Sequence, residues 1–297
     1  MSSTTRPVWM EKPTALGNAA KGGVLLVIVG LVVFPFLLVV STSLASRQEI
    51  TRNGGFVLWP TDPTLSAYTT VLSGGVVSRA VLVSLGVTLV GTVFSLTATV
   101  LTAYGLSRRG TWGQRPLLMV VLLTFLFTPG IIPSYLMVKQ LGLLNTYASL
   151  ILPTAISAFN VIIVRGFFQS IPGELIDSAR IDGAGEWRIL ATIVLPLSKA
   201  VVAVVGLFYA VGYWNSFFTA LLYLSDSDKW PLQLVLRSYV LQGAPLGGLD
   251  TGATEALPPQ QAIQMAVVVL AIIPILCVYP FVQRHFTKGV LTGAVKG

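Results

Sequence analysis

Residues 80–106 read AVLVSLGVTLVGTVFSLTATVLTAYGL, without one Asp, Glu, Lys, Arg or His. A transmembrane helix needs about 20 mostly apolar residues, and this run exceeds that length. Five further stretches qualify on the same count: roughly 23–45, 116–138, 147–164, 197–223 and 263–283. None carries an ionisable residue in its interior; Lys199 comes nearest and sits close to a helix end. The fold class expected is therefore an all-α integral membrane protein with six transmembrane helices.

Composition agrees. Of 297 residues, 54% are apolar and only 10% are charged, with a mean hydropathy of +0.80. Soluble domains carry about 25% charged residues; this chain could not cover a water-facing surface. One cysteine (Cys277) and one histidine (His285) exclude a disulfide framework and any thiolate or imidazole metal cluster. Cys277 is expected to be a small buried hydrophobe, and His285, beside Arg284, an interfacial residue. The net charge is +8, yet no run of five basic residues exists to track phosphates, so nucleic acid is not a partner.

The basic residues instead report topology. Arg6, Lys12 and Lys21 precede the first stretch, and Ser43-Leu44-Ala45 resembles a signal-peptidase site. A signal peptide's apolar core is usually about 7–15 residues, shorter than this one, so an uncleaved first span is expected. Six spans put both termini on one side, and thirteen of the nineteen Lys and Arg residues fall there. The positive-inside rule makes that side cytoplasmic, most cleanly through the short loop 107–115. The resulting plan is a cytoplasmic segment 1–22, a membrane domain 23–285 and a cytoplasmic tail 286–297. Two long outer loops, 46–79 and 224–262, are rich in Gly, Pro, Asp and Thr, as in Gly54-Gly55 and Pro258-Pro259. They read as surface segments without a core of their own.

The long inner loop differs in kind. From Ser170 it runs SIPGELIDSARIDGAGEWRILATIVLPLSKA. Pro172 suits an early helical turn, and Glu174 and Asp177 favour a helix start. Leu175, Ile176 and Ala179 form a short apolar stripe at helical spacing. Asp182-Gly183 then interrupts the helix, with Asp182 able to cap the next helix and Gly183 free of steric limits. A second amphipathic stretch, 186–193, leads to Leu195-Pro196 and the fifth span. The spacing predicts a helix–turn–helix on the cytoplasmic face of the membrane, with one side free to dock.

This loop resembles the EAA motif of binding-protein-dependent ABC importer permeases: EAA, three residues, Gly, nine residues, then I-x-L-P. Asp177-Ser178-Ala179 stand in the EAA positions, Gly183 comes three residues later, and Ile193-Val194-Leu195-Pro196 close the pattern. Asp replaces Glu, and Ser replaces the first Ala. The resemblance extends over most of the chain. TPGIIPSYLMVKQLGLLNTYASLILP (128–153) and YAVGYWNSFFTALLYL (209–224) look like carbohydrate-uptake permeases of the maltose G-type, most of all those for larger oligosaccharides. It implies type I importer architecture in the bacterial cytoplasmic membrane and a coupling loop, 170–196, that meets an ABC ATPase. In that loop Glu174, Asp177, Ser178, Ala179, Asp182, Gly183, Ala184 and Gly185 would form the contact. It also implies a second related permease, two ATPase subunits that bind the ATP, an extracellular solute-binding protein and surrounding lipid.

The residues themselves agree on energy. No G-x-x-x-x-G-K-[ST] phosphate loop is present, so ATP is not bound in that manner and no cofactor is called for. No Asp, Glu or His lies within the spans, which disfavours an ion-coupled carrier. The only His lies beyond the final span, which disfavours an intramembrane serine protease, and the EAA-like loop disfavours a mere scaffold. For the substrate path, Tyr209, Tyr213, Trp214, Asn215 and Ser216 combine aromatic faces with hydrogen-bonding groups, as sugars require. Bundle packing and an interfacial aromatic belt account for the same residues somewhat more simply. Asn160 reads more as an interhelical hydrogen bond than as a path residue. Thr128-Pro129-Gly130 and Pro133 break the third span, either as a cavity lining or as a packed kink.

Overall fold

The computed structural model describes residues 14–73, 75–108, 110, 113–242 and 259–293, with residues 241–242 and 281–293 described for their backbone alone. Among the described residues every regular element is a helix. In chain order they are α1 (Ala15–Ser43), α2 (Arg47–Arg52), α3 (Ser66–Ser73), α4 (Val76–Ser107), α5 (Gln114–Leu126), α6 (Ile131–Gln140), α7 (Ala148–Ile151), α8 (Ala158–Gln169), α9 (Gly173–Ile181) and α10 (Glu186–Ile189). Next come α11 (Leu195–Leu197), α12 (Lys199–Trp214), α13 (Phe218–Tyr223), α14 (Leu232–Gln242) and α15 (Gln260–Gly293). Two compact units are built, Met1–Thr70 with Glu255–Val269, and Val71–Thr254 with Leu270–Gly297.

Six uninterrupted spans are not what the chain forms. Three helices among the described residues are long and apolar enough to cross a membrane, and five if two bent pairs each count once. The third expected span is split into α5 and α6, with Gly130 at φ +80° beside Pro129. The fourth bends by 53° between residues 154 and 158. There Pro153 lies in a 3-10 turn, and Ser157 restarts the helix by accepting the Asn160 N–H at 3.5 Å. The fifth ends as a helix at Trp214, and α13 resumes at Phe218. Each interruption falls where Pro, Gly or a capping side chain gives the backbone another hydrogen-bonding option. Helix ends also pass the apolar limits, since α1 begins at Ala15 and α15 runs on to Gly293.

In the larger unit α4 is the central element, packed against α12 and α8. Its buried positions are Val77, Ala80, Ser84, Val87, Gly91, Ser95, Thr99, Val100, Ala103 and Leu106. That is one helical stripe, and most of it is small or hydroxylated. The large residues point the other way: Leu82 is 69% exposed, and Leu89, Val90 and Val93 are similar. A water-soluble helix would bury its large apolar side chains. Here small residues bring backbones close while lipid solvates the bulky face. Gly91 is the tightest point, because a Cβ there would lie 2.8 Å from Cε2 of Tyr213 on α12. Val161, Val164 and Val205 fill the interior beside this seam.

The smaller unit corrects the view of loop 46–79 as coreless. Ile50, Val57 and Ala67 are buried. Thr42 accepts the Val57 N–H at 3.1 Å and donates to its carbonyl at 3.4 Å. Ser46 and Glu49 form a capping box on α2, and Oε1 of Glu49 also takes the Thr61 N–H at 2.6 Å and the Thr61 hydroxyl. Of loop 224–262, Leu232, Leu234, Val235 and Tyr239 are buried, whereas residues 243–258, Pro258 included, lie outside the described residues. Cys277 is exposed rather than buried, because an apolar thiol on a lipid-facing helix needs no protein cover. Arg6, Lys12, Arg109 and the tail 294–297 lie outside the described residues, as do the side chains of Arg284 and His285.

Candidate functional site

The inner loop folds as α9, a tight turn and α10. Pro172 stands one residue before α9, Glu174 is in its first turn and Arg180 in its last, each with the favourable sign for the helix dipole. The helix closes when the Asp182 N–H bonds the Ser178 carbonyl at 3.0 Å and the Ala184 N–H bonds the Ala179 carbonyl at 2.9 Å. Between them Gly183 sits at φ +81°, a left-handed conformation that costs any side chain. Asp182 thus terminates the first helix instead of capping the second. Gly185, extended at φ −71° and ψ 161°, is the N-cap of α10. The apolar stripe is also displaced by one position: Ile176 is buried and Ala179 half-buried, but Leu175 points outward.

Glu174, Asp177, Ser178, Asp182, Gly183 and Gly185 are all exposed, and Ala184 is half-buried. The same surface carries large apolar side chains, Ile181 at 86% and Trp187 at 74% exposed. The exposed side is therefore acidic and apolar together. From its rear, an ion-pair network fixes the loop. Arg180 donates to Glu186 Oε1 at 2.8 Å and lies 3.5 Å from Asp177. Glu186 holds the Arg180 guanidinium even more firmly protonated than usual. The Tyr104 hydroxyl, at the end of α4, donates to Glu186 Oε2 at 2.6 Å and accepts from Arg108 at 2.6 Å. Arg108 stacks 4.3 Å above the Tyr104 ring. Tyr104, Arg108, Arg180 and Glu186 were not singled out by sequence. Tyr104 and Arg108 lie one turn apart at the end of a span, which is the only local signal they carry.

The candidate path residues separate into two groups. Tyr209, Tyr213 and Asn215 line a cavity of about 310 Å³, together with Phe208, Gly212 and Thr219. The Tyr209 hydroxyl bonds Thr99 Oγ1 at 2.7 Å and accepts the Ser157 N–H at 3.0 Å. The Tyr213 hydroxyl bonds Ser95 Oγ at 2.7 Å. Their ring centroids are 6.5 Å apart in a stacked arrangement, and both side chains are buried and held through their hydroxyls. Asn215 is exposed, its amide donating to the Val211 carbonyl at 3.0 Å. Trp214 and Asn160 stand apart from this cavity. Trp214 is buried and donates to the Ala271 carbonyl of α15 at 3.1 Å. Asn160 is buried in the first turn of α8, and its side chain makes no hydrogen bond to another helix among the described residues.

The fold is that of a helical membrane protein with a cavity beside its broken helices and an exposed helix–turn–helix. The family model for binding-protein-dependent transport system inner membrane components matches residues 91–292, and the chain belongs to that family. It is a multi-pass inner-membrane permease of an ABC importer whose ATPase is a separate subunit. Among individual proteins, it is 48% identical over 276 residues to the polygalacturonan/rhamnogalacturonan transport system permease protein YtcP of Bacillus subtilis, covering 93% of this chain and 96% of that one. It is likewise 48% identical over 265 residues to protein LplC of the same organism, covering 89% and 90%. A crystal structure of a bacterial ABC transporter involved in the import of the acidic polysaccharide alginate contains a chain that superposes with a TM-score of 0.87 at 29% identity, covering 94% of this chain and 100% of that chain.

Proposed function

We propose that the chain is one of two permease halves in an importer for oligosaccharides cut from polysaccharides, fed by an extracellular solute-binding protein. The observation that carries this reading is the end-to-end likeness to a polygalacturonan/rhamnogalacturonan permease, at 48% identity over 93% of the chain. A cavity lined by stacked tyrosine rings and an exposed amide supports it, since sugars offer apolar C–H faces and hydroxyl rims. Tyr209, Tyr213 and Asn215 are the path residues of this reading, and Trp214 and Asn160 are packing residues.

The chain crosses the membrane six times in this scheme, with α5–α6, α7–α8 and α12–α13 as interrupted crossings. Both termini are cytoplasmic. Segment 170–196 is the coupling loop within a membrane domain of residues 23–285. Glu174, Asp177, Ser178, Ala179, Asp182, Gly183, Ala184 and Gly185 present its ATPase-facing surface, with Ile181 and Trp187 as apolar anchors. Two ATPase subunits serve the permease pair.

The test is reconstitution of the whole assembly in proteoliposomes. Binding protein loaded with oligogalacturonides should stimulate ATP hydrolysis and sugar accumulation. Stimulation by a binding protein loaded only with a non-carbohydrate solute would overturn the substrate class.

A further inference from the structure

One helix, α4, touches both the loop network and two of the residues that line the cavity. At one end of α4, Tyr104 bridges Arg108 and Glu186 of α10, with hydroxyl distances of 2.6 Å to each. About one and a half and about two and a half helical turns further along, Thr99 and Ser95 hydrogen-bond the hydroxyls of Tyr209 and Tyr213, both at 2.7 Å. Those two tyrosines line the cavity. At the far end, the Ser84 hydroxyl accepts the Leu232 N–H at 2.8 Å, and Arg79 pairs with Asp228. From Arg79 to Tyr104 the helix rises about 37 Å. No Pro interrupts it, and its buried face is one continuous stripe.

We infer that α4 is the strut by which movement of the helix–turn–helix reaches the cavity and the outer loop, and that Tyr104 is its positioning residue. This rests on the reading of residues 173–189 as the ATPase-docking loop. A force applied to α9 and α10 reaches the end of α4 through the Glu186 carboxylate, which takes the Tyr104 hydroxyl at 2.6 Å and lies 3.6 Å from the Arg108 guanidinium, itself bonded to that hydroxyl. Charge-assisted hydrogen bonds are short, directional and about twice as strong as neutral ones. The stripe Ser84, Gly91, Ser95 and Thr99 then ties the shift to the cavity wall, because tight packing moves as a block and does not deform smoothly. The Tyr104 hydroxyl is taken up by Glu186 and Arg108, so its role is to keep the loop and α4 in register.

The measurement is the ratio of sugar accumulated to ATP hydrolysed by the complete importer in proteoliposomes. Tyr104→Phe removes the hydroxyl and keeps the ring beneath Arg108. The ATPase should copurify with this variant undiminished and hydrolyse ATP at its basal rate, while sugar moved per ATP falls about tenfold, the effect of losing one hydrogen bond to a charged group. Glu186→Gln should lower the ratio too, and the double variant should be no worse than the more severe single one, as for two ends of one link. An unchanged ratio in Tyr104→Phe would overturn the inference, as would additive losses or a variant that sheds its ATPase. Failure of the docking reading registers separately, as ATPase attachment that is insensitive to Gly183→Trp.

Discussion

Gly183 and Gly91 show two different reasons for a residue to lack a side chain. At Gly183 a Cβ would meet nothing within 4 Å, yet φ is +81°. The penalty there is conformational, about 1–2 kcal/mol for an L residue, and a bulky substituent would also stand in the proposed docking surface. At Gly91 the conformation is ordinary, but the Tyr213 ring occupies the Cβ position. Gly91→Val should therefore overpack the α4–α12 seam and cost about 1–3 kcal/mol. The check is the melting temperature in detergent. Gly206→Ala is the control: its Cβ would touch Leu96 at 3.4 Å, an ordinary contact, and the melting temperature should hardly move. Asp177→Lys replaces the partner 3.5 Å from Arg180 with a like charge on an exposed surface. Insertion and folding should survive, since exposed pairs are worth about 0–1 kcal/mol. ATPase attachment, measured by copurification, should be lost.

At the scale of elements, α2 and the turn after it depend on one carboxylate. Hydrogen bonds from the Thr61 side chain, the Ser46 backbone and the Thr61 backbone lower Glu49 from 4.5 to about 2. A depressed carboxylate pKa contributes order that is fully present above pH 4.5 and is lost as pH falls from there toward 2. Protection of residues 46–62 against hydrogen exchange, taken relative to the intrinsic rate at each pH, should thus be high at neutral pH and fall on acidification to about pH 2. Glu49→Gln should show low protection throughout and lose that pH dependence. The helix–turn–helix is legible in the sequence, because Pro172 and Gly183 are local punctuation whose meaning does not depend on the remainder of the chain. So is the break at Pro129-Gly130. The bend at 155–157 and the break at 215–217 are hidden, because apolarity measures length in the membrane and is silent about a Ser cap or an Asn. The Tyr104–Glu186 bond joins residues 82 apart, and no periodicity reports such a pair. The same holds for Asn145, at φ +58°, whose side chain accepts the Asp226 N–H at 3.1 Å and whose carbonyl accepts from Lys229 at 3.0 Å.

For the whole molecule the surface is the strongest statement. Nearly all of α1 is exposed in the single chain, with Leu16 at 82%, and α5 buries none of its residues. Such apolar faces need lipid or a second helical subunit, and the half-pore proposed above needs the latter. Copurification from membranes should recover a related permease and two ATPases, and a lone chain that transports sugar would contradict this. On the mechanism proposed above, residues 173–189 deliver the ATPase's work to a sugar path. The decisive experiment is sugar-stimulated ATP hydrolysis by the reconstituted importer carrying Gly183→Trp. The expected outcome is an inserted, folded permease with weakened ATPase attachment and neither stimulated hydrolysis nor uptake. Normal stimulation and normal uptake in that variant would show that the loop does not carry the work.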